Sequence, residues 1–497
     1  MIFEDLRSAP SHVLDGEEVA GSGSNFISSV NPYTGDTIWT GYAATAADVD
    51  NAVRIAKRAF PDWASTPYEA RKAVLLKFTA LVRENEEPLI HLICDEAGKT
   101  LRDARTEIAA LIEEFRTSVE AYETRCKEHT TELDGSRLKT RYLPRGVMAV
   151  IGPFNCPLSM SNGLIMPALL AGNAVVFKPS EHTPLCGAAM TLLWQQAGLY
   201  NGVLNSLTGG VSAGEQLASH AGVDGILFVG GHAAGMSIFN AVKDNPEKVA
   251  ALDMGGNNPL ILHDIPPDSV AAASKAVIQS AFAGGGQICT AARRLIVSET
   301  AIDTIDRIIE DCKALKIGNP SDPQEEPYYG PLITPLAARK AAARYSELVD
   351  KGAISLLEPN ISGPANTLMS PGILDVTDCD SDSDEEILAP ILKLYRYDGD
   401  INAAVRLANA TRFGLSAGII CAGPDNYRTA QRDIKAALFH WNRPMTSRGS
   451  LTPVGGLKQS GNLRPAGSMS CDHCAYPVIY HESDIQGLKS LDQAATS

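Results

Sequence analysis

Cys289 follows a run of three glycines in Phe282-Ala-Gly-Gly-Gly-Gln287-Ile-Cys289-Thr-Ala-Ala-Arg-Arg, and glycine lets backbone come close to a ligand. That setting reads as a nucleophile presented to a substrate, although a free cysteine standing alone most often fills a core. Other residues could work with it. Asn155, in Gly152-Pro153-Phe154-Asn155-Cys156-Pro157, comes just after an apolar run, so its amide can sit at a strand end beside the thiol. Lys178, Ser180 and Glu181 lie just past another apolar run, where a doubly wound sheet would place a dinucleotide's ribose. Taken in isolation, Lys178 and Glu181 would be a surface ion pair of little energetic weight. Asp253 brings a carboxylate in Leu252-Asp253-Met254-Gly255-Gly256-Asn257-Asn258-Pro259.

These groups need a scaffold that brings them together, and the pattern supplies one. Short apolar runs at 147–151, 174–177, 226–229, 249–252, 260–262 and 295–297 alternate with helix-like stretches such as 185–197 and 233–242. That alternation predicts an α/β chain with parallel crossovers, whose ligands gather where strands end and helices begin. Residues 47–123 are mostly helical by the spacing of Val53, Ala56 and Ala59, and of Leu75, Phe78 and Leu81. The polar stretch 126–144 reads by itself as an exposed hairpin. The acidic run at 379–386 reads as a solvated loop rather than a calcium site.

A chain of 497 residues exceeds what one core supports, so two or three domains are expected. No apolar run approaches the ~18 residues of a membrane helix. The start, Met-Ile-Phe-Glu-Asp-Leu-Arg, lacks the basic-then-apolar pattern of a secretory signal. A cytoplasmic protein is expected, with its 10 cysteines as reduced thiols. Cys471-Asp-His-Cys474 has metal-like spacing but no second pair, so no metal is expected. The net charge of −15 argues against nucleic acid as a partner.

Four ordered blocks carry a resemblance: the segments around Asn155, Lys178–Glu181, Asp253 and Cys289. Asn31-Pro32-Tyr33-Thr34-Gly35 and Gly455-Gly456-Leu457-Lys458-Gln459-Ser460-Gly461 extend it over nearly the whole chain. Together they resemble the aldehyde dehydrogenase superfamily. Within it, Met254–Pro259, Trp441-Asn442-Arg443-Pro444 and Ser460-Gly461-Asn462-Leu463-Arg464-Pro465 are most similar to the N-succinylglutamate 5-semialdehyde dehydrogenase branch. The resemblance implies a parallel-sheet cofactor domain (1–125 and 145–254) and an α/β catalytic domain (255–469). Small β oligomerisation segments (126–144 and 470–497) would pair between neighbouring subunits of a homodimer or homotetramer.

It also implies roles. Cys289 would attack an aldehyde to form a thiohemiacetal, then a thioester, while Asn155 and the Cys289 backbone N–H hold the oxyanion. Lys178, Ser180 and Glu181 would face the adenosine ribose, and a carboxylate at Glu181 favours NAD over NADP. No Gly-x-Gly-x-x-Gly fingerprint is present. The family's alternative helix start falls on Gly230-Gly231-His232-Ala233-Ala234-Gly235, where Gly231 lacks the usual hydroxyl. Glu386 takes the position that holds the nicotinamide ribose, while Leu388 stands where the family has phenylalanine. Val454 replaces another phenylalanine. Asp253 occupies the place of the general-base glutamate and is one methylene shorter. Arg443 and Arg464 are candidates for gripping a substrate carboxylate through arginine's forked donors, with pairing to surface acids as the alternative.

The resulting expectation is NAD-dependent oxidation of a small, carboxylate-bearing aldehyde or semialdehyde to its acid. Two alternatives stand beside it. The short base allows an enzyme that passes the acyl group to coenzyme A, and the departures at Gly231, Asp253 and Leu388 allow a decayed binding or scaffold protein.

Overall fold

The computed structural model describes residues 11–133, 136–379, 384–446 and 451–485. Helix Ala46–Ser65 opens on a reciprocal cap: the Asp48 N–H donates to the Thr45 hydroxyl, and the Thr45 N–H donates to the Asp48 carboxylate at 2.8 Å. Its face of Val49, Ala52, Val53 and Ala56 is buried. Helices Tyr68–Glu84, Glu86–Ala97 and Leu101–Arg125 complete the predicted helical region.

The apolar runs become strands, and they divide between two sheets. In the first, Val249–Met254, Gly225–Gly230, Val147–Ile151, Ala174–Lys178 and Leu204–Leu207 lie side by side and parallel. His12–Leu14 and Glu17–Val19 add an antiparallel edge. Strand order reverses at Val147–Ile151: the chain first builds outward through Ala174–Lys178, then returns to the other side with Gly225–Gly230. A crevice opens at such a reversal, beyond the carboxyl ends of the strands. The second sheet runs Ile354–Leu357, Gly372–Asp375, Ile391–Tyr397, Ala292–Ser298, Asn258–His263, Ser416–Cys421, Leu438–Trp441, all parallel but the first. Central strands such as Val147–Ile151 and Ala174–Lys178 are buried at every residue, as strands covered on both faces must be.

Glu96 holds one helix start beside the crevice. Its carboxylate accepts from the N–H groups of Leu185 and Cys186 at 3.0 and 2.7 Å and from the Ser29 hydroxyl at 2.6 Å. It thereby caps helix Pro184–Gln196, whose own flanking Thr183 makes no side-chain cap. That helix begins directly after the Lys178–Glu181 loop.

Within the chain, the described parts of segments 126–144 and 470–497 pair with each other. Strand Ala475–Glu482 runs antiparallel to Ser136–Pro144, which forms a hairpin with His129–Leu133. The Asn173 amide draws the two together at their base, donating to the Cys474 carbonyl at 2.8 Å and accepting from the N–H of Arg145 at 2.7 Å. No helix among the described residues is long and apolar enough to cross a membrane.

Candidate active site

A cavity of about 320 Å³ lies at the crevice, within the size range of small-molecule sites. Asn155, Lys178, Ser180, Glu181, Gly230, Gly231, Asp253, Cys289, Glu386 and Leu388 all line it. Residues as far apart in the chain as Asn155 and Leu388 thus meet because strand ends of one sheet face a loop of the other.

The glycines before Cys289 adopt left-handed backbone, with φ of 59°, 64° and 71° at Gly284, Gly285 and Gly286. At Gly286 a side chain would also collide with the Ala389 backbone. The turn delivers Cys289, half-buried, just before strand Ala292–Ser298. Asn258 fixes it there: its amide donates to the carbonyls of Cys289 and Ala291 at 2.8 and 2.9 Å, and its oxygen accepts from the Ser416 N–H at 3.0 Å. Asn155 donates to the Gln287 carbonyl at 2.7 Å. An amide carries two N–H bonds, so this contact orients the group and leaves the second for a ligand. The Arg293 guanidinium is buried beneath the loop, 3.1 Å from the Ile288 carbonyl, and interacts electrostatically with the Cys289 sulfur.

Asp253 lies near the end of the edge strand Val249–Met254 and is 7% exposed. The opposite edge of its backbone is held by residues 460–462. Met254 N–H donates to the Ser460 carbonyl at 2.9 Å, Asp253 bridges to Gly461, and the Asn462 side chain bonds Leu252 N–H and the Ala250 carbonyl. A second cavity, about 300 Å³, adjoins the first, and Asp253, Met160 and Val229 line both. Its other walls come from helices Leu101–Arg125 and Ser159–Ala171 and from Thr452, Val454, Ala466 and Gly467.

At the other end, the Lys178 ammonium is buried and donates to the carbonyls of Pro179 and Gly209, each at 2.8 Å. Two of its three N–H bonds are so used, and Glu181 lies 3.8 Å away. Burial pushes the lysine's pKa down, and Glu181 opposes this. Helix His232–Val242 points its first turn at the cavity; Gly231 provides no side-chain cap, and the space beside its Cα is open. Uncapped N–H groups there suit a phosphate, so the missing hydroxyl removes one donor without closing the site. Glu386 stands 3.4 Å from Arg293 and accepts from the Gly256 N–H. Burial pushes Glu386 upward, against the pull of Arg293. A side chain at Gly255 would strike the Glu386 carboxylate, which accounts for glycine there. Two carboxylates and an uncapped helix start in one cavity offer the chemistry that a dinucleotide's riboses and phosphates need.

Arg443 and Arg464 do not join the site. Both are exposed, and neither lines either cavity. Arg464 lies near Arg145 and His473, and the second cavity carries the carboxylates of Glu113 and Glu114 among its described lining. A carboxylate grip by these two arginines is therefore not formed in this structure. Asn258 and Arg293 also work at this site, with no sign of it in the sequence. Asn258 was visible only as part of a family block, and a buried arginine in a strand has no local signature.

Residues 19–477 match the family model described as Aldehyde dehydrogenase family. The chain is 40% identical over 472 residues to N-succinylglutamate 5-semialdehyde dehydrogenase of Enterobacter sp. (strain 638), covering 95% of this chain and 94% of that one. It is 41% identical over 475 residues to the protein of the same name from Chromohalobacter salexigens, covering 95% and 96%. Among solved structures, an NAD-dependent aldehyde dehydrogenase from Sinorhizobium meliloti matches with a TM-score of 0.89 at 27% identity, over 96% of each chain.

Proposed function

This chain belongs to the aldehyde dehydrogenase family and is an oxidoreductase, and from that premise we propose that it oxidises a semialdehyde to the acid, with NAD as acceptor and Cys289 as nucleophile. The observation that carries the proposal is the meeting of Cys289, Asn155 and Asp253 with Lys178, Glu181 and Glu386 around one cavity.

Cys289 Sγ attacks the carbonyl carbon, and the oxyanion is received by the free N–H of the Asn155 amide and by the Cys289 backbone N–H. Bound NAD supplies the hydride acceptor that turns the thiohemiacetal into a thioester. Lys178 and Glu181 would hold its adenosine ribose, Gly230 and Gly231 its phosphates, and Glu386 and Leu388 its nicotinamide end. A carboxylate at Glu181 accepts from ribose hydroxyls and repels a 2′-phosphate, which favours NAD over NADP. Asp253 then takes a proton from the water that attacks the thioester, and the acid departs with the thiol restored.

The semialdehyde class rests on the names of the relatives at about 40% identity. The second cavity, which shares Asp253 with the first, suits the non-reacting part of the aldehyde. We further infer a cytoplasmic homo-oligomer, for which the three-stranded sheet offers the wholly exposed edge strand His129–Leu133. The short side chain of Asp253 favours a second reading, in which coenzyme A accepts the acyl group.

The test mixes the protein with NAD and a panel of semialdehydes and follows NADH absorbance, with and without coenzyme A. Cys289→Ala should abolish turnover while leaving the melting temperature near that of the unaltered protein. Turnover without the thiol would remove the assignment, and acyl-CoA formation with little acid would transfer it to the second reading.

A further inference from the structure

Away from this cavity, two cysteines 345 positions apart come into contact. Cys126 closes the C-terminal end of helix Leu101–Arg125, and Cys471 opens the short helix Cys471–Cys474. Their sulfurs and one oxygen of Asp472 all lie within 4.8 Å of one another, and the Cys471 thiol donates to Asp472 Oδ1 at 3.7 Å. Both are buried, at 5% and 0% exposure. Cys474, three positions on, is not part of this cluster, and the fold brings Cys126 to Cys471 instead.

Their surroundings decide between metal binding and oxidation. Asp472 is the third group of the cluster, yet Arg125 engages both of its oxygens, Nε to Oδ1 at 2.8 Å and Nη2 to Oδ2. With its carboxylate taken by a guanidinium, the cluster offers a cation only two sulfurs, and structural zinc wants four ligands. A pair of adjacent thiols beside a fixed guanidinium is better suited to oxidation. The neighbouring Cys126 thiol holds the Cys471 pKa down, and Arg125 adds to the effect against burial and Asp472.

We propose that Cys126 and Cys471 form a peroxide-sensitive dithiol that closes to a disulfide. One of the two sulfurs, as thiolate, attacks one oxygen of hydrogen peroxide, releasing hydroxide and leaving a sulfenic acid. The other thiol then displaces that oxygen as water, and the hydroxide takes the proton lost on ionisation, so two thiols and one peroxide give one disulfide and two waters. The link would join two walls of the second cavity, since helix Leu101–Arg125 contributes Glu113, Glu114 and Thr117 and the segment leading to Cys471 contributes Ala466 and Gly467. The proposal does not depend on which aldehyde, if any, occupies that cavity.

The experiment uses full-length protein carrying Cys289→Ala, so that peroxide is not consumed by the nucleophile. After treatment with hydrogen peroxide, the protein is denatured in N-ethylmaleimide, digested without reductant and analysed by mass spectrometry. The expected result is a Cys126–Cys471 linked peptide as the main disulfide product, lighter by two hydrogens than its parts and abolished by dithiothreitol. It should be missing from Cys126→Ser and Cys471→Ser. Recovery of both residues as maleimide adducts would overturn the proposal, as would a Cys471–Cys474 link or thiols protected by bound zinc that a chelator releases. The comparison with and without dithiothreitol decides the matter even if the serine variants fail to fold.

Discussion

Replacing Asp253 with asparagine keeps the side chain's shape and removes its capacity to accept a proton. Asp253 is 7% exposed where the two cavities meet and lines the first of them together with Cys289. A positioned general base contributes about 100-fold to 10,000-fold, or roughly 2.7 to 5.5 kcal/mol. Steady turnover of Asp253→Asn should fall within that range, while the first turnover still releases about one NADH per site, because acylation uses Cys289 and the cofactor. Stopped-flow absorbance resolves the burst from the steady state. The reverse test is Asp253→Glu. Strand Val249–Met254 is pinned by Ser460, Gly461 and Asn462 and cannot retreat to make room, so an added methylene displaces the carboxylate by ~1 Å and should cost about 100-fold. Full steady-state activity in Asp253→Asn would refute the reasoning outright.

Three other outcomes follow from the geometry. Glu181→Gln should narrow the ratio of kcat/KM for NAD over NADP, and an unchanged ratio would remove Glu181 from cofactor choice. Arg443→Ala and Arg464→Ala should change KM for a carboxylate-bearing semialdehyde no more than for an uncharged aldehyde of equal length, since neither lines a cavity. A selective rise would return them to the substrate site. Burial pushes Glu96 from 4.5 up to about 7. The folded state then keeps a proton that the unfolded chain releases, so this residue's contribution to stability falls as pH rises from 4.5 to about 7. Urea denaturation across that window should show the slope, and Glu96→Gln should flatten it; an undiminished slope would assign it to other groups.

The strands and the chemistry at their ends were readable because both are local. A fully buried strand is a short apolar run, and a glycine run before a cysteine is a backbone requirement written in sequence. What was not readable depends on contacts across the chain. The run at 260–262 looks like that at 249–252, yet the two strands belong to different sheets. Arg443 and Arg464 stand next to recognisable blocks, but adjacency in sequence does not say which way a side chain faces. Asn258 carries no sign that it clamps the Cys289 loop, because its partners are backbone carbonyls over 30 positions away. Likewise nothing near Cys471 announced Cys126.

Val249–Met254 is the outermost strand of the first sheet, and Asn462 uses one side chain to do what a neighbouring strand would do with its backbone. It accepts from the Leu252 N–H at 3.0 Å and donates to the Ala250 carbonyl at 2.7 Å. Exposed sheet edges invite pairing with other chains and so aggregation. The edge that carries Asp253 is thus closed against self-association by the residues that hold Asp253 in register. Loss of Asn462 should accordingly be felt in solubility as well as in turnover.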